Sequence, residues 1–496
     1  MSQHEKRHFK LDSPKKLTLL FDAIEVQKTY DEEKIKKKFV ADAYLGKQLS
    51  VAKNDLMKSL LKSLRGYNDA AGIESELKSI MTDADIFFRK GLYKMSYASI
   101  KRLKEISLAY EKWQWLHLAI VKEYRVLRAL GLRKTTREYL LQLQQEEKEL
   151  LKKIDIQQEL SFIQVEMKYF YFTEGHLSKA NATLKKVLSN PILEEAKDME
   201  SVRARLEYYQ IKTFYYNYFE IDIPQAHRFS SELLKVMEEA SHLMEDDVQT
   251  LIDILNAHVN SCIVLKKWNE GIETIDKIKK QGNSLPVSQS YVAYSAFGVA
   301  YVNQIDILNR LGEFEKAVDL IPEIEAGLNQ FAKQVKAEHY LMFYQNLSYS
   351  CFGAGRYKES IKWLNKLFTI SGANSRNDIM CAGHIMSLMV HYELGNEEII
   401  PYVAKTAYRI LLKNNKMFEP EQILLRFIRK ELAVSIYDKK KLTESFKKLL
   451  EELKPLQSTL AENMLFDELH VITWLESKIE NRPFAEKIKE KITVEQ

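Results

Sequence analysis

The chain has 496 residues, of which 46% are hydrophobic and 29% charged, and its formal net charge is +5. That balance argues against a disordered chain and against a strongly basic nucleic-acid binder, and no apolar run is long enough to span a membrane. With only 16 glycines and 9 prolines, long helices joined by short loops are expected rather than a many-turned sheet.

The N-terminus, "MSQHEKRHFKLDSPKK", has neither the apolar stretch nor the small-residue cleavage site of a signal peptide. Cys262, Cys351 and Cys381 are too scattered for a zinc motif or a disulfide framework, which suits a reducing compartment, and a cytoplasmic location is expected. Residues 1–70 hold 15 Lys/Arg against 10 Asp/Glu, the whole of the net excess. Pro14 after Ser13 reads as a helix start, with Ser13 as the cap. The expected helices are 15–30, then the short "DEEKIKKKF", whose acids lead and lysines trail in accord with the helix dipole, then "LSVAKNDLMKSLLKSLRGY", capped near Ser50. Three such helices can form a capping or dimer-forming unit, or a helix-turn-helix unit in which Lys53, Lys58, Lys62 and Arg65 touch phosphates.

Further along, one pattern recurs. "GEFEKAVDLIPEIE" begins at Gly312 and "GRYKESIKWLNKLF" at Gly355. Related starts stand at Gly91, Gly175, Ile221, Lys266, Gly395 and Lys440, and from Gly175 onward the steps are 46, 45, 46, 43, 40 and 45 residues. Gly91 to Gly175 is 84 residues, room for two steps, with a weak intermediate marker near Gly131. Each unit reads as a helix, a turn and a second helix. The second helix carries a small residue at one place: Ala180, Ala226, Gly271, Ala317 or Ser360. An aromatic precedes it in several units, as Tyr93, Trp268, Phe314 or Tyr357. A small residue lets two helix backbones approach, and the aromatic fills the corner. Pro322, Pro401 and Pro455 are expected to kink second helices or delay their start.

A turn glycine, an aromatic two residues later and alanine five after the glycine, as in "GEFEKA", resemble the tetratricopeptide repeat. "GRYKES" and "GHLSKA" follow with one departure each, and the likeness runs over roughly residues 80–455. These steps exceed the 34 residues of that family. The resemblance implies an all-α, right-handed α-α superhelix of helical hairpins with longer-than-usual repeats. The domain reading is residues 1–69 as an N-terminal helical unit, 70–455 as the solenoid and 456–496 as C-terminal capping helices.

No phosphate-binding glycine loop, HExxH motif or serine elbow occurs. "GAGRY" at Gly353 follows a helical pattern and reads as a turn. His258 and Cys262 share a helix face one turn apart, but two ligands do not make a site and Cys262 falls on an apolar stripe, so packing is the expectation. His384 and His391 occupy packing positions, and Asp246, Asp247 and Asp253 sit at a helix start where capping explains them. Enzymatic activity, metal and cofactors are therefore not expected. Binding is. The first helices of such a solenoid line its concave face, which places Tyr169, Tyr208, Tyr215, Tyr218, Asn256, Asn260, Asp306, Asn309, Gln345 and Tyr349 along a groove. Tyrosine adds flat contact area and asparagine both donates and accepts, which fits a protein or peptide segment. Alternatives are a DNA-binding or ligand-switched regulator acting through residues 1–69, and a homodimer paired through terminal helices.

Overall fold

A computed structural model of the chain describes residues 3–27, 30–68, 72–132, 135–174, 188–197, 199–244, 247–286, 289–370, 376–428, 439–457 and 464–495. Among the described residues the protein is all-α, with helices that pack mostly on their sequence neighbours and no strand. The chain divides into two compact units, Met1–Ile254 with Pro286–Gln289, and Leu255–Leu285 with Ser290–Gln496.

The first unit opens with α1 (Gln3–Asp12), α2 (Lys15–Glu25), α3 (Glu32–Lys38) and α4 (Leu49–Asn68), with a π-turn over Ala43–Lys47. There are four helices here, not three. Helix α1 is strongly polar and so escapes a hydrophobic-period reading, yet it buries Phe9 completely beside Leu17, Leu20, Ile35 and Leu56. Helix α2 also ends at Glu25, short of residue 30. Ser13 does not cap it: Pro14 is the N-cap, and the Ser13 hydroxyl pairs with that of Ser59 at 2.8 Å. Helix α3 does follow its charge order, and Asp31 caps it by accepting the Lys34 amide at 3.1 Å.

Helices α5 (Ile73–Arg89), α6 (Tyr93–Ala109) and α7 (Trp113–Ala129) then pack in succession. The intermediate unit expected near Gly131 does turn there, from α7 into the next helix, but that second helix does not end before the helix expected to lead into Gly175. Residues 137–174 form one 38-residue helix, α8. No glycine or proline interrupts that stretch, so nothing in it forces a turn. Helices α9 (Ile192–Lys197), α10 (Val202–Tyr218) and α11 (Ile223–Glu239) complete the unit. Gly175 and Ala180 lie outside the described residues. The division between units falls inside α12 (Val248–Val264).

The second unit continues through α13 (Trp268–Ser284), α14 (Ser290–Arg310), α15 (Phe314–Asp319), α16 (Ile321–Gln330), α17 (Ala337–Gly353), α18 (Tyr357–Phe368), α19 (Asn377–Glu393) and α20 (Ile400–Lys413). It ends with α21 (Glu419–Phe427), α22 (Lys439–Gln457), α23 (Met464–Asp467), α24 (Val471–Glu480) and α25 (Phe484–Glu495). Pro322 splits α15 from α16 and Pro401 sits in the first turn of α20, both as delayed starts.

The recurrent turns have one geometry. Gly91, Gly131, Ile221, Lys266, Gly312, Gly355 and Gly395 all have φ between +55° and +74°. At most of them the next amide closes on the carbonyl five residues back, as from Glu313 to the Leu308 carbonyl at 2.8 Å and from Arg356 to Cys351 at 2.8 Å. That is the Schellman closure, which satisfies carbonyls left over at a helix end. Lys440 differs: it lies inside the first turn of α22. The small residues behave alike. The Ser96 hydroxyl donates to the Ala84 carbonyl at 2.8 Å, and Ser360 donates to the Ser348 carbonyl at 2.8 Å, each twelve residues back across its hairpin. At Gly271 an added Cβ would stand 3.4 Å from the Cys262 Cβ and 3.1 Å from the Ile307 side chain. The aromatics fill corners, with Tyr93 against Phe88 at 5.2 Å and Tyr357 against Phe352 at 5.6 Å between ring centroids.

Helices α24 and α25 pack back on earlier parts of the second unit. Phe484 packs against Phe314 and Phe352, and Glu393 accepts from the Trp474 indole at 2.7 Å and from Lys478 at 2.9 Å.

Candidate functional site

Two neighbouring cavities lie in the second unit. The first, about 160 Å3, is walled by α14, α17, the start of α19 and the segment leading into α24. Asp306, Asn309 and Arg310 come from α14, and Met342, Gln345, Asn346 and Tyr349 from α17. The spacings of three, four and seven put each set on one helix face. Arg376, Asp467, Glu468 and His470 close the site.

The chemistry of this cavity is densely polar. Arg310 donates from Nε to both oxygens of Asp306 at 3.0 and 3.1 Å and stands 3.8 Å from Asp467. Arg376 holds Asp378 with Nε at 3.1 Å and Nη2 at 2.8 Å. The Tyr349 hydroxyl meets Nδ1 of His470 at 2.7 Å, and His470 itself sits at φ 47°. Ser350 donates to Oδ1 of Asn309 at 2.8 Å. Gln345 is 9% exposed, and its side-chain oxygen has no hydrogen-bond partner. A buried amide oxygen left this way costs on the order of 1–3 kcal/mol. The oxygen can accept from a donor.

Burial dominates the titration of the site. It raises Asp306 above the usual carboxylate range, with Arg310 opposing. Glu468 keeps an open surface but is crowded by protein, and burial with the carboxylates of Asp378 and Asp467 pushes it up to about 7. Burial, with Arg310 second, pulls His470 down to about 4. Three lining carboxyls face two lining guanidiniums, so the cavity favours a ligand group that donates hydrogen bonds or carries positive charge.

The second cavity, about 280 Å3, is more apolar and shares Met342 with the first. Asn256 and Asn260 of α12 line it with Tyr294, Gly298, Val302 and Asn303 of α14 and Phe343 of α17. Asn303 donates to Oδ1 of Asn256 at 2.8 Å, and the Tyr294 hydroxyl pairs with His339. A Cβ built on Gly298 would meet nothing within 4 Å, so this stretch of α14 faces open space.

Six of the sequence-derived groove residues thus come together here: Asp306, Asn309, Gln345 and Tyr349 at the first cavity, Asn256 and Asn260 at the second. The four tyrosines belong to the first unit and line neither cavity. Tyr208 is 4% exposed within the packing of α8 and α10, where its ring offers no binding surface. Tyr218 packs its ring at a tilt against Tyr171 and Phe214, with centroids 4.8 and 4.7 Å away, and Tyr215 is half-buried with its hydroxyl on Glu220 at 2.8 Å. Tyr169 is 60% exposed. On α4, Lys53 is engaged by Glu32 at 2.6 Å, while Lys58, Lys62 and Arg65 are exposed. His384 lies flat on Phe368 with centroids 4.3 Å apart, Asp247 caps α12 through the Thr250 amide, and Asp246 lies outside the described residues.

Sequence reasoning missed Arg310, Arg376, Asp467, Glu468 and His470. The Asp306–Arg310 spacing of four was a usable signal. The others reach the cavity only through tertiary folding. Compared with protein-family models and with curated proteins, the chain matches none. What stands is an all-helical protein of sequentially packed helices, and no described helix is long and apolar enough to cross a membrane.

Proposed function

We propose that the protein is a non-enzymatic, cytoplasmic scaffold that holds an extended peptide or protein segment along α12, α14 and α17. On this reading the chain is a right-handed superhelix of tetratricopeptide-like hairpins, and equivalent faces of successive first helices form the binding wall. One observation carries it: corresponding faces of three first helices line two adjoining cavities rich in amide side chains, one holding the buried, unpartnered oxygen of Gln345. The occupant that fits has a basic or donor-rich group for the acidic first cavity. A few residues away it has an apolar or aromatic side chain for the second. Its backbone pairs with the asparagines.

The test is selection from a displayed peptide library on the full chain. Peptides combining a basic and an apolar residue should be enriched, and Asn260→Ala should weaken them without loss of helix content. No enrichment, or enriched peptides indifferent to Asn260→Ala, sinks the reading. The rival, DNA contact through residues 1–69, rests on the exposed row Lys58, Lys62 and Arg65 and makes a separate prediction below.

A further inference from the structure

We propose that His258, Cys262 and Glu270 form a binding site for one divalent transition-metal ion, with zinc the ion that suits the donors. The sequence offered only the His258 and Cys262 pair, one turn apart on α12. The fold adds a third donor. The chain reverses at Lys266, where the Lys267 amide closes on the Cys262 carbonyl at 2.8 Å. Gly271 then lets the start of α13 lie against the Cys262 turn. Glu270, immediately before that glycine, is thereby brought onto the same face. Donor atoms of His258, Cys262 and Glu270 all lie within 4.8 Å of one another.

Nε2 of His258 is 3.1 Å from Oε1 of Glu270. Adjacent nitrogen and oxygen donors around tetrahedral zinc lie roughly 3.3 Å apart, given metal–donor bonds of about 2.0–2.1 Å. His258 and Cys262 are each 1% exposed, while Glu270 is half-buried and leaves a path from solvent. One thiolate and one carboxylate neutralise a dication, so the loaded site buries no net charge. A mixed sulfur, nitrogen and oxygen set is one that zinc accepts and magnesium or calcium does not. Without metal, His258 and Glu270 rest as a histidine–carboxylate hydrogen bond beside the Cys262 thiol. Such an ion would pin α12 to α13 directly behind Asn256 and Asn260. The inference is independent of the peptide reading.

Chelator-stripped full-length protein, kept reduced, is titrated with Co(II). One equivalent should bind with a sulfur-to-cobalt charge-transfer band, and Zn(II) should displace it. Cys262→Ser should abolish the band. Glu270→Gln, at a half-exposed helix start, should weaken Co(II) binding by at least about tenfold, the loss typical of even a supporting partner. If Cys262→Ser does not fold, Glu270→Gln decides alone. The proposal is overturned if wild-type protein shows no band, if the band survives in Cys262→Ser and so sits on Cys351 or Cys381, or if Glu270→Gln binds as tightly as wild type.

Discussion

Replacing Gly298 tests the second cavity with little ambiguity. Gly298 lies in the interior of the 21-residue α14, where glycine costs about 1 kcal/mol against alanine. A Cβ there meets nothing within 4 Å, so Gly298→Ala gains helix propensity without a clash. Stability should rise by about 1 kcal/mol, or roughly 2–4 °C in the melting of a unit of this size. Gly327→Ala provides the contrast. Its Cβ would stand 2.1 Å from the Phe297 ring, and that ring is held by Phe331 and Phe343 at 5.6 and 5.7 Å. Overpacking of this kind costs about 1–3 kcal/mol, which offsets or exceeds the propensity gain. Thermal unfolding followed by circular dichroism reads both variants. A less stable Gly298→Ala, or a Gly327→Ala stabilised as much as Gly298→Ala, would refute the packing argument on which the cavity rests.

Four further outcomes follow from the same geometry. Gln345→Leu removes the orphaned oxygen, so stability should hold or rise while affinity for a selected peptide drops about tenfold, the value of one hydrogen bond to a buried acceptor; calorimetry and melting read the two effects. Glu123 is fully buried between Lys104 at 3.0 Å and Lys101 at 3.5 Å; burial raises its carboxyl, but the Tyr139 hydroxyl and these lysines bring it below the ordinary value. Its contribution is present above about 4.5 and is lost as pH falls through the depressed value, and Glu123→Gln should cost about 2–4 kcal/mol in denaturant unfolding. Glu468 and His470 have opposite signs: the first favours the fold at low pH and loses its effect as pH rises through about 7, whereas the second contributes fully above 6.5 and loses its effect as pH falls toward 4. Glu468→Gln should therefore leave stability rising with pH between 4 and 6.5, and His470→Gln should leave it falling toward 7; equal slopes in both variants would contradict the assignment. For the N-terminal unit, duplex DNA at low salt should show no binding that depends on Lys58, Lys62 and Arg65; salt-sensitive binding lost in their triple alanine variant would move the function to DNA.

Much of the hairpin order was legible because it depends on local chemistry. The glycines at 91, 312, 355 and 395 mark turns that need positive φ, and the small residues at 271 and 360 mark helix crossings. The turns at Ile221 and Lys266 have no glycine and were reached through the repeat spacing, whereas those at Glu111 and Asn415, also with positive φ and no glycine, fall off that spacing and left no signal. The unbroken α8 defeated an argument from repeat spacing, because period alone does not supply a turn where no glycine or proline breaks the helix. In the site, the amides of α12, α14 and α17 followed from helix periodicity. The four tyrosines of α8 and α10 did not, since a helix with rings on every side can spend them on its neighbours, as Tyr216 does in stacking on Phe229 at 5.4 Å. The return of His470 onto Tyr349 joins residues 121 apart, a pairing no local pattern records.

The most direct measurement is a calorimetric titration of one library-selected peptide into wild-type protein and into Gly298→Leu, whose side chain projects into the second cavity. A segment held along α12, α14 and α17 requires saturable one-to-one binding to the wild type and loss of that binding in the variant, with the fold retained. Equal affinity for both proteins would place the peptide elsewhere and contradict a groove on these helices.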